Sequence, residues 1–323
     1  MKFFPVKVKY FYKYLAEVIL LFMTIIWGGT FVVVKESLNN FSPTFFVALR
    51  FAIASIILLP LVLIKKEKWN KKVLLHGFLL GSFLFGGFVL QTIGLQFTTA
   101  SRSGFITGTI VIIVPIFQTV IEKKLPTRGT IIGILFVLLG LIFLSSSGKS
   151  IFNFISNLGT NFNLGDVLTL LCAAVFALQV VYIDIFSPKH NFWVLLFIQL
   201  ASVAVEGFLA SLIFSFTNIE PLRFDFNFYI LFAFFYTAVL ATLVNIGLQT
   251  KFQKEVSPSK AGIIYSFEPV FAAVFAFFVL SEKITNFGLI GCTLIFTGLV
   301  LSEVLDSIKN KNGKRIKTSR NSG

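Results

Sequence analysis

Apolar positions in this chain gather into ten runs, each long enough to cross a bilayer. They fall at about 17–35, 43–64, 73–97, 101–121, 127–146, 165–186, 191–216, 227–249, 257–280 and 284–304. A membrane-crossing helix needs about 20 mostly apolar residues. In lipid, every backbone polar group must be bonded internally, which leaves helices and closed barrels. The short, alternating segments of a barrel are not in the pattern. The runs therefore predict an all-α membrane protein of ten transmembrane helices.

Five runs precede a polar stretch and five follow it, and the second set echoes the first. At an offset of 158, Ser101 matches Ser259, Gly104 matches Gly262, Gly133 matches Gly291, and Gly140 matches Gly298. The front helices align at 149, which sets Trp27 over Phe176 and Arg50 over Gln199. A further echo sets Ile93 to Gln96 against Ile246 to Gln249. The correspondence rests on glycine and serine positions and on the order of segments, because identity between the halves is low. With five spans per copy, the second enters the membrane from the opposite side, as in transporters built from inverted repeats. The expected divisions are a basic N-terminus at 1–16, repeat one at 17–146, a polar linker at 147–164, repeat two at 165–304, and a basic tail at 305–323, expected to be disordered. Glycines spaced by four, such as Gly77 and Gly81, or Gly129 and Gly133, predict close helix packing.

Composition agrees with the pattern: 56% of residues are hydrophobic, 13% are charged, and mean hydropathy is +0.89. The formal charge of +14 raises the question of nucleic acid, which the placement of the basic residues answers. With the N-terminus in the cytoplasm, 22 of the 28 Lys and Arg fall on the cytoplasmic side and five on the other. That is the positive-inside bias, and such residues orient helices and meet anionic lipid. It predicts a multi-pass protein of the cell (inner) membrane with both termini cytoplasmic. The first run follows a basic leader without a small-residue cleavage site, so it reads as a retained helix. The 42 phenylalanines read mainly as lipid-facing bulk, and Cys172 and Cys292, both within spans, imply neither a disulfide nor a metal site.

Ionisable groups deep in a span are costly, at about 2.5–3.5 kcal/mol each, so they mark cavities or partners. Arg50, Glu206 and Glu268 qualify. Glu268 precedes Pro269, which lacks a backbone donor and bends its helix, and Tyr265 lies on the same face one turn earlier. Arg50 either pairs with a carboxylate such as Glu268 or takes an anionic solute group. Trp27 with the glycines beside it, Gln91 on the third helix, and Asn245 between Thr242 and Gln249 on the eighth supply further wall positions. Gln118 and Gln179 stand isolated in their spans. Zinc helices, nucleophile elbows and phosphate-cradling loops are missing from the sequence. No catalytic residue, metal or cofactor is expected.

Several of these residues together resemble the EamA-type permeases of the drug/metabolite transporter superfamily. The resemblance lies in Trp27-Gly28-Gly29-Thr30-Phe31, Arg50-Phe51, the run Val256 to Gly262, Glu268-Pro269-Val270-Phe271, Ser281 to Thr285, and Gly291 through Gly298. It implies ten helices, cytoplasmic termini, and export or exchange of small metabolites. Repeat one departs from it with Val111 opposite Pro269 and Lys124 opposite Glu282, and repeat two has Phe176 where Trp27 would be echoed.

The resulting expectation is a secondary transporter, not an enzyme, that moves an amino acid, amine or related solute by alternating access. Its cavity would include Trp27, Arg50, Gln91, Asn245, Tyr265, Glu268 and Pro269, with a proton coupled through Glu268 or Glu206. Its partners would be the solute and the bilayer, not nucleic acid, and it would act as a monomer or dimer. The alternatives are a channel, or a membrane enzyme acting on lipid-linked substrates with Glu220 and Asp225 as its nearest approach to paired carboxylates.

Overall fold

A computed structural model describes residues 6–65, 69–145, 162–280 and 286–320. Among these, nine helices are long and apolar enough to span a membrane: Tyr14–Ser37, Pro43–Ile64, Lys71–Phe97, Ala100–Glu122, Leu164–Lys189, Phe192–Phe216, Phe228–Glu255, Pro258–Val279 and Asn286–Leu305. A shorter apolar helix, Arg128–Leu144, completes ten and is the fifth in chain order. They are called helices one to ten below. The chain is an all-α multi-pass membrane protein. Its only extended pairing among the described residues is one isolated bridge between Phe41 and Phe224. The linker expected at 147–164 falls outside the described residues as far as position 161, and Ser281 to Thr285 fall outside them entirely. Where composition predicts a disordered tail from 305, the last helix continues to Arg320.

Polar caps place the helix starts. Asn70 accepts from the Val73 amide at 2.9 Å, and Asn227 accepts from the Ile230 amide at 3.0 Å. Asn163 and Asp166 form a reciprocal capping box at the head of helix six. Proline occupies the first turn of helices two and nine, where its missing N–H costs nothing.

Helices of one repeat pack chiefly on helices of the other: three on six and seven, two on seven and eight, one on nine, and five on ten. In lipid, this association depends on close backbone approach rather than on apolar burial. The seam between helices five and ten shows it. A Cβ at Gly140 would stand 2.7 Å from the Gly291 carbonyl oxygen, and one at Gly133 would stand 2.8 Å from that of Gly298. The four glycines matched by sequence offset thus meet crosswise, the first of one pair against the second of the other. Outward positions carry bulky apolar side chains such as Ile56, Phe78, Leu135 and Leu209, as a lipid-facing surface requires.

Candidate functional site

Helices four and nine are both broken near their centres, at equivalent positions. In helix nine, Pro269 supplies no amide, and the preceding turn tightens: the Phe267 amide bonds the Ile264 carbonyl, three residues back, at 3.1 Å. In helix four, Val111 stands where repeat two has proline, yet the helix still breaks at Thr109. The Thr109 amide bonds the Ile106 carbonyl at 3.0 Å, and its hydroxyl bonds the same oxygen at 2.6 Å. A back-bonding hydroxyl therefore accompanies in one repeat what a proline accompanies in the other.

Around these breaks lies a cavity walled by helices one, three, four, six, eight and nine. Ten of its lining residues fall into repeat-related pairs. At an offset of 149, Trp27 pairs with Phe176 and Thr30 with Gln179. At 158, Gln91 pairs with Gln249, Thr107 with Tyr265, and Ile110 with Glu268. Leu84, Phe88 and Val180 complete the wall. The cavity measures about 50 Å³, counted as space for the centres of water-sized molecules. That is room for roughly three to five waters at about 10–15 Å³ each.

Two polar groupings shape the wall. The Trp27 indole Nε1 donates to the Ala241 carbonyl at 3.0 Å. Ala241 sits in a π-helical stretch, Phe235–Val244, where the Asn245 amide bonds Leu240 and Thr242 and bypasses it. The indole ring meets Tyr265 edge-on, with centroids 5.6 Å apart. On the other side, Gln179 and Gln249 exchange side-chain hydrogen bonds at 3.3 and 3.1 Å. Gln249 also donates to Gln253 Oε1 at 2.9 Å, which accepts from the Tyr265 hydroxyl at 2.8 Å. Gln253 in turn donates to the Val180 carbonyl at 2.6 Å. The amide chain holds the tyrosine ring in one orientation. Glu268 is the one lining residue with a formal charge, and it is partly exposed to the cavity.

The expected site residues divide. Trp27, Gln91, Tyr265 and Glu268 line the cavity, and Gln91 donates to Thr107 Oγ1 at 3.3 Å. Arg50 does not line it and makes no ion pair with Glu268. It is buried behind the wall, where its Nε donates to Thr242 Oγ1 at 3.0 Å. Its guanidinium lies 4.7 Å from the Phe88 ring centroid, and Nη2 has no hydrogen-bond partner. Asn245 joins helix eight to helix one by donating to the Met23 carbonyl at 2.9 Å. Pro269 packs against Gly108, where a Cβ would come within 3.1 Å of Pro269 Cγ. Glu206 accepts from Ser82 Oγ at 2.7 Å between helices three and seven, away from the cavity.

Other candidates prove structural. Gln118 accepts from the amide and hydroxyl of Ser259 and so caps helix nine. Glu220 accepts from the Thr44 amide at 3.1 Å and from its hydroxyl at 2.6 Å, which caps helix two. Phe88, which lines the cavity, and Gln253, which holds Tyr265, are not marked by any feature of the sequence. The 158 offset applied to Gln91 leads to Gln249, whereas the local Ile-Gly-Leu-Gln echo sets Gln96 against Gln249. Among the described residues there is no group of three or more His, Cys, Asp or Glu that could hold a metal ion.

The profile of the EamA-like transporter family matches residues 15–146 and 163–303. An uncharacterized transporter of Archaeoglobus fulgidus is 33% identical over 286 residues, which cover 88% of this chain and 85% of that one. The uncharacterized transporter YoaV of Bacillus subtilis is 27% identical over 288 residues, 87% and 94% of the two chains. One solved crystal structure superposes with a TM-score of 0.71 over 90% of this chain and 98% of its own, at 16% identity, a likeness of fold alone.

Proposed function

We propose, for a chain that belongs to the EamA-like transporter family, that it is a secondary carrier exporting or exchanging a small metabolite such as an amine or amino acid. The cavity between the repeats is the solute site in this reading, exposed to each side in turn as the repeats rock. One observation carries it. The cavity is lined by symmetry-related residues of both repeats, yet its only formal charge is the unmatched Glu268. A symmetric scaffold suits two-sided access, and an asymmetric charge suits recognition.

The chemistry of the wall favours a solute with a positively charged nitrogen. Glu268 offers a carboxylate, and Trp27, Tyr265, Phe88 and Phe176 offer aromatic faces, which attract cations. Arg50, which would have received an anionic group, lies behind Phe88. The present volume is too small for an amino acid, so binding requires the walls to part, as a carrier's cycle demands. Proton coupling in this proposal falls to Glu268, because Glu206 lies outside the cavity and is held by Ser82.

The test is solute flux in proteoliposomes with and without a pH gradient, using a solute chosen by metabolite profiling of cells that overproduce the protein. Wild type is expected to show saturable uptake stimulated by solute on the far side and driven by the gradient. Glu268→Gln is expected to reduce gradient-driven accumulation at least tenfold. Linear, non-stimulated flux would point to a channel, and a fully active Glu268→Gln variant would remove the carboxylate from the mechanism.

A further inference from the structure

The repeat offsets also bring together four charged residues that the cavity does not use. Glu17 and Asp166 are equivalent at 149, near the starts of helices one and six. Arg102 and Lys260 are equivalent at 158, near the starts of helices four and nine. Arg102 Nη2 lies 2.6 Å from Asp166 Oδ2, and Lys260 Nζ lies 2.9 Å from Glu17 Oε1. The operation that superposes the repeats therefore carries one ion pair onto the other. No residue type is kept, only the sign of each charge.

The two pairs sit at opposite ends of the bundle. Helix one has Glu17 near its start and Lys35 in its last turn, and Lys35 donates to the carbonyls of Thr98, at 2.8 Å, and Leu95. Thr98 Oγ1 in turn bonds Asp166 Oδ1 at 3.0 Å, so the Arg102–Asp166 pair belongs to the end where helix one finishes. The cavity lies between them. Tyr265 and Glu268 follow Lys260, and Thr107 and Ile110 follow Arg102, by five and eight residues in each case. Those spacings correspond to about 7–12 Å of helix. Each pair also ties a helix of one repeat to a helix of the other, four to six and nine to one.

We propose that the two ion pairs are alternating latches, Arg102–Asp166 closing one mouth of the cavity and Glu17–Lys260 the other, with one released at a time. This rests on the carrier reading. Rocking one repeat against the other must break contacts that join the repeats at the opening end. A latch of charges suits that use, because both partners are rehydrated once water enters the mouth. Lys260 also meets Glu303 on helix ten, where repeat one has Ser145.

The test uses the full chain in a Cys172→Ser, Cys292→Ser background with one reporter thiol in the cavity, Thr30→Cys. Labelling by a membrane-impermeant maleimide is timed in intact spheroplasts and in inside-out vesicles. Asp166→Asn, which can still cap its helix, is expected to raise labelling from the Arg102 side about tenfold or more, the shift that loss of one charge-assisted bond brings, and to lower it from the other side. Glu17→Gln is expected to do the reverse. Where a carboxylate variant fails to insert, Arg102→Gln and Lys260→Gln give the same two arms. The latches are overturned if paired variants move labelling in the same direction or leave it unchanged. Switched sidedness without flux of any solute would retire the carrier reading and keep the latches; flux with unswitched sidedness would retire the latches alone.

Discussion

Phe88 lines the cavity and also carries the Arg50 guanidinium, so the largest buried cation acts on the site only through a ring. Replacing such a buried group by an apolar side chain of similar volume is often neutral, while deleting it is not. Arg50→Met is therefore expected to stay within about 1 kcal/mol of wild-type stability and to keep transporting. Arg50→Ala, which empties the space, is expected to lose roughly 2–5 kcal/mol. Thermal unfolding in detergent and proteoliposome flux check both, and a folded but inactive Arg50→Met would return arginine to the solute site. A second prediction concerns the chain's two histidines, whose Nδ1 (His76) and Nε2 (His190) lie 2.6 Å apart. Burial, His76 and the nearby Lys189 and Lys72 hold His190 below the ordinary histidine value of 6.5. A depressed histidine leaves its proton behind on folding, so the pair's contribution is present above pH 6.5 and declines as pH falls from there through the lower folded value. An NMR titration should find the His190 midpoint under 6.5; a midpoint at or above it would contradict the contact.

Among the elements, helices five and ten make the sharpest structural claim, because the neighbours of Gly140 and Gly291 are each other's backbone, which cannot rotate away. Gly140→Leu must push the helices apart and is expected to cost about 1–3 kcal/mol or more. Gly86→Ala is the control, since its Cβ would meet only Val175 Cγ1, at 3.4 Å. Comparing their unfolding temperatures checks the seam, and equal losses would mean that the helices do not pack there. This seam was legible in the sequence, because lipid-embedded helices that approach closely require small residues at repeating positions. The break in helix nine was legible through Pro269. Its partner at Thr109 was not, since a threonine in a span signals nothing until its hydroxyl is seen to bond the Ile106 carbonyl. Hydropathy reports depth in the membrane and not direction around a helix: Pro269 and Tyr265 set Glu268 apart in the sequence, while nothing there tells that Arg50 and Glu206 lie outside the cavity wall.

For the whole molecule, the pair of offsets carries more than the apolar runs alone. It relates the cavity walls, the helix breaks, the glycine seam and the two ion pairs by one operation, which accounts for a site that no local motif could have located. It also refines the orientation argument. Lys260 is held by Glu17 and Glu303, while Lys35 and Arg102 are engaged by carbonyls and by Asp166. Setting these structural cations aside removes one from the 22 basic residues on one side and two from the five on the other. The bias that remains is steeper, and the residues that compose it are the ones able to meet anionic lipid. Both termini are therefore expected in the cytoplasm, with the Glu17–Lys260 latch at the inner mouth and Arg102–Asp166 at the outer. Epitope tags at either end should resist protease in intact spheroplasts and be cleaved in inside-out vesicles. Cleavage of both tags in spheroplasts would reverse the assignment of the mouths while leaving the repeat relation intact, and cleavage of only one would refute the even number of crossings.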